Sequence, residues 1–183
     1  MSAPDRSGHM PAAAASLAVA LFILALPAPA SAAEVVRYDY QGAAAICQPA
    51  LPAHAAGLRA RPLSLENLGT GTVFVSCALR GDPRPAGRGA MKVLAEVGAT
   101  GTGAAVIRCT FVDGLQEGGT LDAVYRTKAV VVQPNTRGTS ITWQPSEIAG
   151  SPEHIFRPAV QCELPPGAAL HYLAGTYDED IGG

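Results

Sequence analysis

Alternation of apolar and polar positions dominates this chain. Val73–Leu79 places Val73, Val75, Cys77 and Leu79 on one face, and Met91–Val97 places Met91, Val93, Ala95 and Val97 together, with Lys92 and Glu96 opposite. Ala105–Phe111 sets Ala105, Ile107, Cys109 and Phe111 against Arg108 and Thr110, and Val160–Leu164 repeats the alternation around Cys162. Successive side chains of an extended strand point to opposite faces, so these segments are expected as half-buried strands. Three of the four cysteines fall on the apolar face of such a strand. Val124–Val132 is rich in β-branched residues, but Arg126 and Lys128 mix its parity. Ser140–Trp143, with Ile141 and Trp143 sharing a face, and Ala169–Tyr177 complete the set, and Val35–Tyr40 is expected as an edge strand.

Turn-forming residues separate these runs: Gly98–Gly103, Asp113-Gly114, Glu117-Gly118-Gly119 and Pro134–Gly138. Gly98–Gly103 is expected to join two antiparallel neighbours as a hairpin. Residues 41–72 show no regular pattern, and helical periodicity is missing after the first 33 residues. Seven or eight short strands punctuated by turns predict an all-β protein, an antiparallel β-sandwich of Ig-like or jelly-roll-like kind. A closed barrel is the second choice. No repeat or composition shift divides the chain, so residues 34–183 are expected as one domain.

Residues 1–33 read as a secretory signal. A short start carrying Arg6 leads into an uncharged run from Ala12 to Leu26, closed by Pro27 and Pro29 and followed by Ala30-Ser31-Ala32-Ala33. That order of charged, apolar and small residues is the export pattern, and the run is short for a spanning helix. Cleavage is expected after Ala32 or Ala33. The protein is therefore expected to be secreted or periplasmic, with no membrane span in the mature chain.

Export changes the reading of Cys47, Cys77, Cys109 and Cys162. An even number in an oxidising compartment favours two disulfides. Their gaps of 30, 32 and 53 residues do not suit zinc, whose ligands come in close pairs. Of the three possible pairings, Cys47–Cys77 with Cys109–Cys162 is preferred, because the first would staple the irregular stretch 41–72 onto the first core strand.

Composition adds exclusions. Thirteen Lys and Arg against fifteen Asp and Glu leave a net charge of -2, which gives no sign of nucleic-acid binding. Charged residues make up only 15% of the chain, well below the share of about 25% usual for a globular domain.

Cys47-Gln48-Pro49, Phe74–Leu79, Cys109–Gly114 and Cys162–Gly167 together resemble a group of uncharacterised, exported four-cysteine proteins of Gram-negative bacteria. The similarity spans essentially the mature chain. It implies a β-sandwich outside the cytoplasm and brings no activity, so no functional residue is carried over from it.

No catalytic constellation is legible. There is no Gly-x-Ser-x-Gly elbow, and His54, His154 and His171 show no metalloenzyme spacing. No cofactor or metal is expected; Asp178-Glu179-Asp180 is the densest acidic cluster, but a solvated tail explains it better than calcium. Arg80, Arg84 and Arg88 form the one basic loop and a candidate binding site for an anionic or carboxylate partner. Its tripeptide Arg80-Gly81-Asp82 is too short a match to carry weight. Trp143 is expected in the core, while Tyr38 and Tyr40, two apart on one strand face, are a weaker candidate for a sugar platform. The leading expectation is a non-catalytic binding or structural protein with an envelope or extracellular partner. A glycan-binding module is the alternative, with a hydrolytic enzyme behind it.

Overall fold

A computed structural model describes residues 34–82, 89–117, 120–134, 138–148 and 154–180. The expected signal at 1–33, and Arg84 and Arg88 of the basic loop, lie outside them. Among the described residues, eleven strands form two antiparallel sheets. In chain order they are β1 (Glu34–Gly42), β2 (Cys47–Pro49), β3 (Leu58–Arg61), β4 (Ser64–Asn67), β5 (Val73–Ala78), β6 (Ala90–Ala99), β7 (Ala105–Glu117), β8 (Thr120–Val132), β9 (Thr139–Trp143), β10 (Pro158–Leu164) and β11 (Ala168–Asp180). Among the described residues the one α-helix, α1 (Ala43–Ile46), is a single turn between β1 and β2.

The six-stranded sheet runs β3-β4-β11-β6-β9, with β1 also on β11. One side of β11 is shared: β4 meets Ala169 and Leu170, and β1 takes Tyr172 to Asp180. The five-stranded sheet runs β2-β5-β10-β7-β8. Between the layers lie the residues whose alternation marked the strands, among them Val75, Val93, Val97, Ile107, Phe111, Ile141, Trp143, Leu164 and Leu173. Phe111 of one sheet stacks on Trp143 of the other, with ring centroids 5.6 Å apart.

Three features differ from the expectations. The stretch 41–72 is ordered into α1, β2, a 3₁₀ turn at Pro52–Gly57, β3 and β4, all too short to display a period. Asp113-Gly114 is not a turn; β7 continues to Glu117, and the Asp113 carboxylate accepts the Arg157 N–H (2.7 Å) at the entry to β10. Finally, Gly98–Gly103 does not close a hairpin. It carries the chain from β6 in one layer to β7 in the other. Thr100 and Gly101 donate their N–H groups to the Gly167 carbonyl (2.7 and 3.1 Å), so this crossing is tied to another, between β10 and β11. Gly167 adopts φ +75°, and a Cβ there would stand 3.0 Å from the Gly101 Cα, so both backbone and space require glycine.

Arg126 and Lys128 explain the mixed parity of β8. They lie opposite Phe111 and Cys109, on the inward side of an edge strand, and reach across the open flank of the sandwich. Lys128 donates to the Thr142 carbonyl (2.6 Å) and pairs with Glu147 (2.5 Å), and Arg126 donates to the Glu147 carbonyl. In return the Trp143 indole N–H donates to the Arg126 carbonyl (3.1 Å). The Lys128 hydrogen bond and the Gln144 N–H hold the Glu147 carboxyl below its ordinary range, against a smaller opposing effect of burial. These contacts form a polar seam between β8 and β9.

Candidate functional site

The disulfides join Cys47 to Cys77 and Cys109 to Cys162. In each, the two cysteines are directly opposite in neighbouring antiparallel strands, β2 with β5 and β7 with β10, with Cα atoms 4.1 Å apart. That is close to the separation of a non-hydrogen-bonded pair, about 4.5 Å, where side chains approach most nearly. Both bridges therefore lie within the five-stranded sheet and face inward.

Because side chains alternate, the residues beside the cysteines face outward and are in register too. Gln48, Ser76, Gln161, Thr110 and Thr127 form one polar row across all five strands. The Gln161 amide donates to the Ser76 hydroxyl (3.2 Å), and the Thr110 and Thr127 hydroxyls lie 2.8 Å apart. The neighbouring row is Ala78, Ala159, Val112 and Tyr125. Short side chains on β5 and β10 leave a hollow between taller flanks. The resulting cleft of about 350 Å³ has Ser76, Ala78, Ala159 and Gln161 on its floor. Ile46 and Gln48 wall one side, Val112 and Tyr125 the other. Tyr125 remains 50% exposed, so its ring is available to a ligand.

No carboxylate, amine or imidazole lines this cleft. The charges on the same face, Arg108 and Glu163, sit one row away and neutralise each other at 3.1 Å. The cleft therefore presents amide and hydroxyl groups beside one aromatic ring.

The other candidates lie elsewhere. Trp143 is fully buried. Tyr38 and Tyr40 are exposed on the outer face of the six-stranded sheet, with centroids 6.3 Å apart, and Tyr172 meets Tyr40 edge-on at 5.5 Å. Burial, with lesser help from the Glu96 carboxylate and Tyr40, raises the Tyr172 hydroxyl above its ordinary range. Arg80 is exposed, and its carbonyl accepts the hydroxyl of buried Tyr177 (2.7 Å). His54 stacks on Phe74 at 5.6 Å and accepts that residue's N–H, and His154 lies 6.5 Å from the Phe156 ring. His171 covers Gly98 at an irregularity of β11. The structure brings none of the three histidines to the cleft.

Asp178, Glu179 and Asp180 are the end of β11, paired with Val36, Val35 and Glu34, and are not a free tail. Alternation sends the Asp178 and Glu179 carboxylates to opposite faces, and Glu179 is occupied by Arg37 at 2.6 Å. Among the described residues no group of His, Cys, Asp or Glu is arranged to hold a metal ion, and no helix is long and apolar enough to cross a membrane.

Gln48, Ser76, Gln161 and Tyr125 were not singled out by sequence reasoning. The signal was present: three of them adjoin a cysteine, so disulfide pairing combined with alternation puts them on one face.

No protein-family model and no curated protein matches the chain. Solved structures similar to it include the family 11 carbohydrate-binding module from Clostridium thermocellum in complex with a β-1,3-1,4-mixed-linked tetrasaccharide. That likeness has a TM-score of 0.39 at 8% identity over 79% of this chain and 86% of the other. TmCBM61 in complex with β-1,4-galactotriose has a TM-score of 0.35 at 10% identity, covering 78% and 88%. The agarase AgWH50C has a TM-score of 0.37 at 8% identity, covering 75% of this chain and 25% of that one. Likeness at this level carries no argument about function, and the cleft is read from its own residues.

Proposed function

We propose that the protein is an exported, non-catalytic binding module that holds a neutral glycan in the cleft on its five-stranded sheet. One observation carries this reading: a concave site of about 350 Å³ lined by two glutamine amides, a serine hydroxyl and an exposed tyrosine, without a carboxylate, amine or imidazole among the described residues. Its volume falls in the range of about 300–1,000 Å³ typical of small-molecule sites. A primary amide offers two donors and an acceptor, which matches neighbouring sugar hydroxyls that both give and take hydrogen bonds. A tyrosine ring supplies apolar area to the C–H face of a pyranose while its hydroxyl stays wet. A charged ligand would find no counter-charge in the cleft.

The two disulfides support the exported part of the reading, since such bridges persist in oxidising compartments, where extracellular glycans are also found. Titration calorimetry with a panel of neutral and acidic oligosaccharides tests it. Binding of a neutral oligosaccharide is expected, weakened about tenfold or more by Tyr125→Ala or Gln161→Ala, as the loss of one ring contact or one good hydrogen bond requires. Failure of every neutral glycan to bind, or binding indifferent to both substitutions, overturns the proposal. A turnover that survives purification would reject its non-catalytic part.

A further inference from the structure

The edges of the two sheets are not equally protected. Unpaired N–H and C=O groups along an edge are a template for another strand, and proteins usually blunt them with short strands, proline or charge. Edge strand β2 has three residues and ends in Pro49, and β3 has four residues carrying Arg59 and Arg61. The long edge of β8 is covered in part by the seam with β9. Strand β1 is long, and its charges, Glu34, Arg37 and Asp39, are of mixed sign, so they do not repel a second copy in every register. It runs nine residues in unbroken register with β11, contains no proline or lysine, and among the described residues no strand occupies its other side. Val36, Tyr38 and Tyr40 on its outer face are 50%, 57% and 64% exposed.

We propose that the β1 edge is a self-association surface, on which a second copy of this chain pairs antiparallel about a two-fold axis through Tyr38. The register follows from charge and parity. For both copies to keep their inner faces inward, the pairing must preserve alternation, because a slip of one residue turns every side chain to the wrong face. Of the three centred registers that remain, a two-fold at Arg37 places that arginine opposite itself. A two-fold at Asp39 does the same to the aspartate. Like charges directly opposite destabilise a pair. Centring on Tyr38 puts Arg37 opposite the partner's Asp39 twice, Val36 opposite the partner's Tyr40 twice, and the two Tyr38 rings side by side. Every cross-strand pair near the axis is then complementary. Arg37, although 2.6 Å from Glu179 and stacked over Tyr177 at 4.9 Å, keeps a 38% exposed side chain with donors to spare. The two six-stranded sheets become one continuous sheet, and both β1 edges disappear. The contact is a single strand pair, so the dimer is expected to dissociate on dilution.

Sedimentation velocity over a concentration series on the exported chain provides the test. The native protein is expected to shift from monomer to dimer as concentration rises. Arg37→Asp and Asp39→Arg are each expected to stay monomeric, because each places like charges opposite one another. An equimolar mixture of the two variants restores opposite charges at both pairs and is expected to dimerise. A native protein that is monomeric throughout, a dimer that survives both reversals, or a mixture that stays monomeric overturns the proposal. Tyr38→Cys leaves both charges in place and reads the register independently. It should form a covalent dimer on oxidation or with a short thiol cross-linker, whereas Val36→Cys, facing the partner's Tyr40, should not. Equal cross-linking of the two, or of neither, rejects the register.

Discussion

In the five-stranded sheet two covalent bonds join neighbouring strands, whereas the six-stranded sheet keeps its order through one thirteen-residue strand, β11, on which β1, β4 and β6 all pair. The outer faces differ in the same way. The stapled sheet carries short side chains at its centre and a neutral cleft, while the other carries Tyr40 in contact with both Tyr38 and Tyr172, and an open edge. A bridge fixes two strands at one point and lets the residues beside it be small and polar without losing register. Without such a bridge, order must come from side chains that cover each other. Tyr40 on Tyr172, edge-on at 5.5 Å, is one case.

Removing the bridges separates the two strategies. Cys109→Ala with Cys162→Ala is expected to cost about 4 kcal/mol, from the entropy of a loop closed over 53 residues, read as a lowered urea midpoint. The Cys47–Cys77 bridge closes a shorter loop and should cost about 3.5 kcal/mol. Cys47 is half-buried on an edge strand while Cys109 and Cys162 are fully buried, so a graded reductant should open the first bridge before the second. Equal rates by thiol mass labelling would contradict the burial argument.

The next effect lies at the seam. Trp143→Phe leaves the Arg126 carbonyl without its indole partner and loses packing volume against Phe111. A cost of about 2–3 kcal/mol is expected, with faster amide exchange in β8 and β9 than in β5 and β10. Uniform loosening would mean that the sheets are not joined chiefly there.

A smaller effect is pH-dependent and centres on Glu66 of the six-stranded sheet, with Glu147 at the seam acting in the same direction. Burial works against the Glu66 charge, but hydrogen bonds from Arg61 (2.5 Å) and Ser64 (2.9 Å) outweigh it and lower its carboxyl below the ordinary range. A carboxylate held down in the folded state contributes stability above its unfolded pKa of about 4.3, and that contribution is lost as pH falls through the folded value. Melting temperatures should therefore drop on acidification below that point, less steeply in Glu66→Gln. Least of all, Tyr125→Ala should change stability by no more than about 0.5 kcal/mol, as an exposed residue, while abolishing most glycan binding.

The strands with strict alternation were legible because each has one face against the core, and so the sandwich class followed. The short strands β2, β3 and β4 were not, since three or four residues cannot display a period. Gly98–Gly103 shows a different limit: turn residues say that a chain reverses, but not whether it returns to the same sheet. The choice is made by what β6 and β7 pack against, a property of distant segments. Arg126 and Lys128 blurred the pattern of β8 because an edge strand can point cations inward and still reach water. The cleft was legible only through the cysteines that three of its residues adjoin. Its glutamines, serine and tyrosine are ordinary surface residues one at a time, and only register brings them together.

The bridges also outlast the fold. Each joins residues that face one another across adjacent strands, and neither passes from one layer to the other. A chain denatured without reductant has lost its interior but still holds β2 against β5 and β7 against β10 at the native alignment. Refolding from that state begins with two strand partners already chosen, and its slow task is to bring the layers together.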